Sequence, residues 1–264
     1  MADTFGFENR VVIVGTVDRF EKRSTGNGMV WLKTAEAEDK RIGKPDDANP
    51  RFITRTLAVF LGASILDSAS MLEGASVEKI FAKGSTIEIL GRIRGVEAFF
   101  GDQTMVGNEI AATFVRRVHG NVRPYTRFAL VGFVKSAQLK SYAGGPIVIQ
   151  TGKRPPKAIT GTNGTRSYVD LARIRVTKKV ADALREQGKN LKETLHESAH
   201  IAVFGPILGI RQDAQREDGR VQSYYGQEFL AAAINRRKDV YEQPTPQAIE
   251  ATAEEASAED LGED

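Results

Sequence analysis

Two tandem copies of a small five-stranded β barrel, followed by an acidic tail, are the fold that the 264-residue sequence predicts. Three observations lead there: an internal repeat, β-branched runs separated by turn signals, and a chain end unlike the rest in composition. The repeat is carried by five short matches in one order. Val14-Gly15-Thr16-Val17 returns as Val131-Gly132-Phe133-Val134, and Thr54-Arg55-Thr56 as Thr165-Arg166-Ser167. Ile89-Leu90-Gly91-Arg92-Ile93-Arg94-Gly95 returns as Val203-Phe204-Gly205-Pro206-Ile207-Leu208-Gly209, Gly107-Asn108-Glu109-Ile110 as Gly226-Gln227-Glu228-Phe229, and Arg116-Arg117 as Arg236-Arg237. Offsets that drift only between 111 and 120 mark two copies of one unit. The expected organisation is a first domain over 8–118, a linker over 119–125, a second domain over 126–241 and a disordered acidic tail over 242–264.

Each copy reads as strands in succession. Arg10 to Phe20 is apolar and β-branched, Gly26-Asn27-Gly28 signals a turn, and Met29 to Thr34 begins the return strand, so the pair predicts a hairpin. The stretch holding Gly43, Pro45, Asn49 and Pro50 reads as a long loop, because proline cannot donate to a ladder. Phe52 to Leu61 is expected as the third strand, Met71 to Ala82 as a short helix, Thr86 to Ile93 as the fourth strand and Met105 to Val115 as the fifth. The second copy repeats the order with Phe128 to Leu139, Pro146 to Thr151, Tyr168 to Val176, a helical Lys178 to Gln187, Ile201 to Leu208 and Val221 to Ile234. Three strands, a helix and two strands is the order of the OB-fold, a Greek-key barrel. The helix between strands three and four separates it from other small barrels. Gly91, Gly95, Gly205 and Gly209 are expected where strands bend to close the barrel.

Composition narrows the function. No cysteine is present, which excludes disulfides, thiolate nucleophiles and cysteine-bound zinc and favours a reducing compartment. Apolar runs such as Val11 to Val14 are far short of a membrane helix, and the first residues lack the pattern of a signal peptide. A soluble, cytoplasmic protein is expected, in a host cytoplasm if the chain is viral. Residues 244–264 hold seven acids and no base. The remainder has 37 basic against 27 acidic residues, so a body of about +10 carries a tail of −7. A basic body attracts polyanions, of which nucleic acid is the commonest. A solvated surface with an incidental surplus is the competing reading.

Tandem barrels with a basic body and a detached acidic C-terminus resemble the single-stranded DNA-binding proteins of bacteriophages. The resemblance covers the whole chain and lies in architecture, with no diagnostic motif. It implies a non-enzymatic protein, without cofactor or metal, that coats single-stranded DNA in replication or recombination with little sequence preference. It also implies replication or recombination proteins as partners of the tail, no membrane, and compatibility with a homo-oligomer. The tail ends Asp260-Leu261-Gly262-Glu263-Asp264, without the terminal aromatic residue common in such tails.

Such binding needs cations for phosphates and aromatic faces for bases. If Val30 and Leu32 fill the barrel, Trp31 and Lys33 point outward; otherwise Trp31 is core. Arg55 and Arg166 are expected at equivalent places in the third strands, with Tyr168 on the face of Arg166. The loops before those strands offer Arg41, Lys44 and Arg51 in one copy and Lys153, Arg154 and Lys157 in the other. Phe99-Phe100 reads as an exposed aromatic pair in the loop joining the last two strands, and Tyr142 and Tyr224-Tyr225 are further candidates. Glu109 and Glu228 would repel phosphate, so they are expected on the opposite face or hydrogen-bonded within the barrel. No phosphate-binding glycine motif occurs.

Two other classes stay open. RNA or a protein partner would suit the same barrels. The reading the residues support least is a zinc metalloprotease, through His196-Glu197-Ser198-Ala199-His200. That chemistry needs both histidines on one continuous helix, whereas His200 runs straight into a predicted strand.

Overall fold

The computed structural model describes residues 7–35, 38–42, 50–100, 103–140, 144–159, 166–215 and 220–237. In the first half these form β1 (Glu8–Lys22), β2 (Gly28–Lys33), β3 (Lys40–Ile42), β4 (Arg51–Thr54), β5 (Thr56–Leu61), α1 (Ala63–Glu73), α2 (Val77–Ile80), β6 (Thr86–Phe100) and β7 (Gln103–Arg117). In the second they form β8 (Tyr125–Ala137), β9 (Gly145–Gln150), β10 (Lys157–Ala158), β11 (Arg166–Val169), β12 (Leu171–Val176), α3 (Lys178–Glu186), α4 (Leu191–Thr194), β13 (His200–Gly205), β14 (Ile207–Gln215), β15 (Val221–Ala231) and β16 (Ala233–Arg236). The protein is mainly β, and no described helix is long and apolar enough to cross a membrane.

Strand alternation builds the cores. Val30 and Leu32 in β2, Leu57, Val59 and Leu61 in β5, and Ile87 and Ile89 in β6 are fully buried, while their neighbours face outward. β1 pairs with β2, β2 with β5, β5 with β7 in parallel, β7 with β6, and β6 again with β1, closing a five-stranded barrel of the kind found in OB-folds. The second half makes the corresponding pairings: β8 with β9, β9 with β12, β12 with β15 in parallel, β16 with β13, and β13 with β8. Here the fourth strand is interrupted at Pro206 and the fifth at Ala232. Leu66 and Ile80 of α1 and α2, and Val180 and Leu184 of α3, join the buried cluster.

Several elements differ from the sequence reading. The helix expected over Met71–Ala82 is two helices, the first starting at Ala63, because Gly74 ends α1 in the left-handed region at φ 57°. Each third strand is two strands, broken at Arg55 and at Asp170. The loop before each also contains a short strand, β3 or β10, paired with β4 or β11. The repeat register shifts accordingly. Arg51 opens β4 as Arg166 opens β11, so Arg166 corresponds to Arg51, and Arg55 to Asp170. The three-residue match around Arg55 and Arg166 crosses loops of unequal length, and equivalence follows strand pairing.

The largest departure is that the two halves interlock. The β6–β7 hairpin of the first reaches β11 of the second, pairing Val96 with Tyr168 and Gly95 with Val169. The β14–β15 hairpin of the second reaches β4 of the first, pairing Arg211 with Phe52 and Gly209 with Thr54. β1 and β8 pair antiparallel at the centre, from Glu8 opposite Val131 to Val14 opposite Tyr125. Side chains repeat this reciprocity. Asn108 donates to the Arg173 carbonyl at 2.6 Å, and Gln227 donates to the Ala58 carbonyl at 2.6 Å. A Cβ on Gly95 would stand 2.4 Å from the Leu171 carbonyl oxygen, and one on Gly209 would stand 2.1 Å from that of Thr56. These two glycines therefore serve the crossing between halves. Gly91 and Gly205 lie against their own fifth strands, near Ala111 and Leu230, as barrel closure requires.

Candidate nucleic-acid interface

Alternation along β2 sends Trp31 away from the interior. The indole is half-buried, and the Arg19 guanidinium lies 3.8 Å from its ring centre. Its Nε1 is buried without a hydrogen-bond partner among the described residues. Lys33 is exposed on the same face and pairs with Asp18 at 3.6 Å. Across the ladder, Trp31 stands opposite Ala58 and Met29 opposite Phe60. An arginine resting on a ring near the surface is worth about 0.5–1 kcal/mol, and a stacked base about 1–3 kcal/mol, so a base can displace Arg19.

The second half offers a different face on the same scaffold. Val148 takes the place of Trp31 and pairs with Arg173, while Pro146 pairs with Arg175. Arg173 and Arg175 are exposed because Ala172, Ile174 and Val176 between them fill the core. A cavity of about 630 Å³ lies over this face, lined by Lys135, Pro146, Val148 and Arg173 and roofed by Met105 and Val106 from the other half's hairpin.

Between the halves Arg94 is packed between two rings, 4.5 Å from Phe60 and 3.8 Å from Tyr168, and pairs with Glu109. A second cleft, of about 590 Å³, is lined by Arg92, Arg94, Arg154, Lys157, Tyr168 and Asp170. There the Arg154 side chain and backbone N–H donate to the Asp170 carboxylate. Burial pushes Asp170 up, yet these bonds and the charges of Arg154 and Arg92 outweigh it and hold the group below its usual value. Burial raises the Tyr168 phenol, helped by the nearby Glu109 charge.

The predicted site residues do not converge on one spot. Arg51 is exposed beside Arg173 and Arg175, lining a smaller cavity of about 240 Å³. Arg55 is half-buried at a strand break, its carbonyl accepting from Thr34. Lys153, Arg154, Lys157 and Arg166 are exposed, and Tyr168 is half-buried beneath Arg94. Phe99 and Phe100 belong to β6 by their backbones, opposite Thr104 and Gln103, and are not in a connecting loop. Their side chains, like Lys44, Tyr142, the Tyr224 and Tyr225 side chains and the acidic tail, lie outside the described residues.

Glu109 and Glu228 are hydrogen-bonded within their own barrels, as one of the two expectations had it, but on the outward side of the fifth strands. Each flanks a core residue, Ile110 or Phe229, and pairs with Arg94 or Arg175. The sequence reading does not single out Arg19, Phe60, Arg92, Arg94, Arg173 or Arg175 as site residues. The alternation that marks Trp31 also marks Arg92 and Arg94 around Ile93, and Arg173 and Arg175 around Ile174.

The histidine motif does not form a metal site. Helix α4 ends at Thr194, Ser198 takes φ 69°, and His200 starts β13, buried and stacked on Phe133 at 4.5 Å. His196 is exposed, and among the described residues no three candidate ligands gather.

No protein-family model matches the chain, and no curated protein matches it. Among solved structures it is similar to a deletion mutant of the single-stranded DNA binding protein from Thermus aquaticus. The identity is 13%, the TM-score 0.47, and the match covers 90% of this chain and 98% of that one. The wild-type Thermus aquaticus protein matches at 14% identity and a TM-score of 0.42, over 88% of this chain and 94% of that one. Likeness at this level carries no argument about function.

Proposed function

We propose that the chain is a pair of interlocked OB-folds that binds single-stranded DNA without catalysis and with little sequence preference. Trp31 carries the reading: a large ring turned out of the barrel, flanked by Arg19 and Lys33, is poorly explained by folding alone. Bases stack on Trp31 in the first half, while Arg173 and Arg175 take phosphates in the second. Lys153, Arg154, Lys157, Arg166 and Arg51 extend the basic track between the halves. The role that suits such a binder is coating of exposed strands in replication or recombination. Residues 242–264, acidic and without lysine or arginine beyond Tyr241, then act as a tethered competitor for the basic track and recruit partners on release.

A titration of oligo-dT against duplex of equal length, at two salt concentrations, tests this. Tight single-strand binding that falls by orders of magnitude with salt is expected if six or more phosphates are engaged. Equal affinity for duplex, or no dependence on salt, rules the reading out.

A further inference from the structure

In the cleft between β6 and the segment 152–157, positive charge is arranged without enough negative charge to answer it. Arg94 is matched by Glu109, and Arg154 by Asp170. Arg92 differs. Its side chain is half-buried on the outward face of β6, and among the described residues it has no hydrogen bond or ion pair. Burial lowers its pKa, the charges of Arg154 and Arg94 lower it further, and the Asp170 charge, already engaged by Arg154, offsets this only in part. Lys157 adds another cation at the rim, and Tyr168 forms part of the wall. With Asp170 shared between Arg154 and Arg92, a half-buried guanidinium facing two others is costly unless a further anion joins them. Planar forks converging on one cavity suit the oxygens of a phosphate group.

The halves supply an internal control. β6 meets β11 at Gly95 and Val169, and β14 meets β4 at the corresponding Gly209 and Thr54. Counting back from each glycine, Arg92 and Arg94 of the first half are answered by Pro206 and Leu208 in the second. The crossing is present twice, but the arginines only once, so they are not needed to make a crossing.

We propose that Arg92, Arg154 and Lys157 form a phosphate-binding site, occurring once among the described residues, that takes a phosphate of bound nucleic acid. As the phosphate enters, it draws Arg154 from Asp170 and so couples the 152–157 segment to occupancy. This rests on the nucleic-acid reading above and narrows it to one place.

The test follows the side-chain Nε–H signals of the full-length ¹⁵N-labelled chain, with inorganic phosphate, 5′-phosphorylated oligo-dT and 5′-hydroxyl oligo-dT as probes. Movement of Arg92 and Arg154 with both oligonucleotides assigns an internal phosphodiester; movement with the phosphorylated one alone assigns a strand end. An Arg92 signal unmoved at saturation, while the chain binds the oligonucleotide, overturns the site and leaves the proposed function standing. A chain that binds no oligonucleotide but whose Arg92 responds to inorganic phosphate retains the site and loses the function. No response to any probe removes both.

Mutation reads the same site. Arg92→Gln keeps the aliphatic stem; it should weaken oligo-dT binding about tenfold at low salt and reduce the log–log salt slope by about 0.7. Lys83→Ala removes a charge from the exposed helix end of the barrel and should change affinity less than about twofold. Equal effects from the two variants would mean that only the general field matters, which overturns the site.

Discussion

The outward faces of the two barrels share a backbone register but differ in chemistry. Where the first half has Trp31, Ala58 and Phe60, the second has Val148, Arg173 and Arg175, paired in the same order across the same ladders. The carboxylates Glu109 and Glu228 occupy matching places in the fifth strands, yet each finds its arginine on a different strand: Arg94 on β6 in one half and Arg175 on β12 in the other. On the proposed function, a repeated scaffold divides a task, with stacking on one copy and phosphate binding on the other. Barrel closure constrains only the inward residues, which leaves the outward ones free to diverge.

The two crossings are the most symmetric feature, and disrupting them should have the largest effect. Gly95→Val and Gly209→Val each drive a side chain into a backbone carbonyl across the interface. Each should cost about 3 kcal/mol or more, read as a fall in the thermal midpoint of several degrees. Similar losses would support equal roles for the two hairpins. A loss at one glycine alone would show that one crossing holds the halves together.

The division between faces is tested next. Trp31→Ala should weaken oligo-dT binding by about 1–3 kcal/mol with the salt slope unchanged, and oligo-dT should quench Trp31 fluorescence in the parent chain. Val148→Ala at the matching position should have little effect. Arg173→Ala with Arg175→Ala should instead flatten the salt dependence, by a slope of about 0.7 for each phosphate no longer neutralised. If Trp31→Ala destabilises the fold by about 3–5 kcal/mol and leaves binding intact, the indole is structural and the two faces are not specialised.

The smallest effect concerns the tail. Deleting 244–264 should tighten oligo-dT binding a few-fold at low salt and much less at high salt, because tethered charge competes only where screening is weak. Identical isotherms for the full and truncated chains would leave the tail a solubilising role.

Local pattern settled the inward-facing half of each strand. Alternation along β2 and β5 separates Val30, Leu32, Leu57 and Val59, which fill the barrel, from Met29, Trp31, Ala58 and Phe60, which do not, and the repeat points to two such units. The same alternation turns Trp31, Arg92, Arg94, Arg173 and Arg175 outward, so the cationic faces are legible as well, although the sequence reading draws only Trp31 from them. Helix position was less accessible, because the apolar spacing across 63–82 suits one helix or two until the left-handed Gly74 divides it. The exchange of hairpins was out of reach. It depends on where distant strands meet, Gly95 on Val169 and Gly209 on Thr54, and no local window holds both partners of such a pairing. For that reason the cleft that brings Arg92 to Arg154, from opposite halves of the chain, exists only in the tertiary structure. Charge and periodicity are properties of a segment, whereas a site between two halves is a property of their packing.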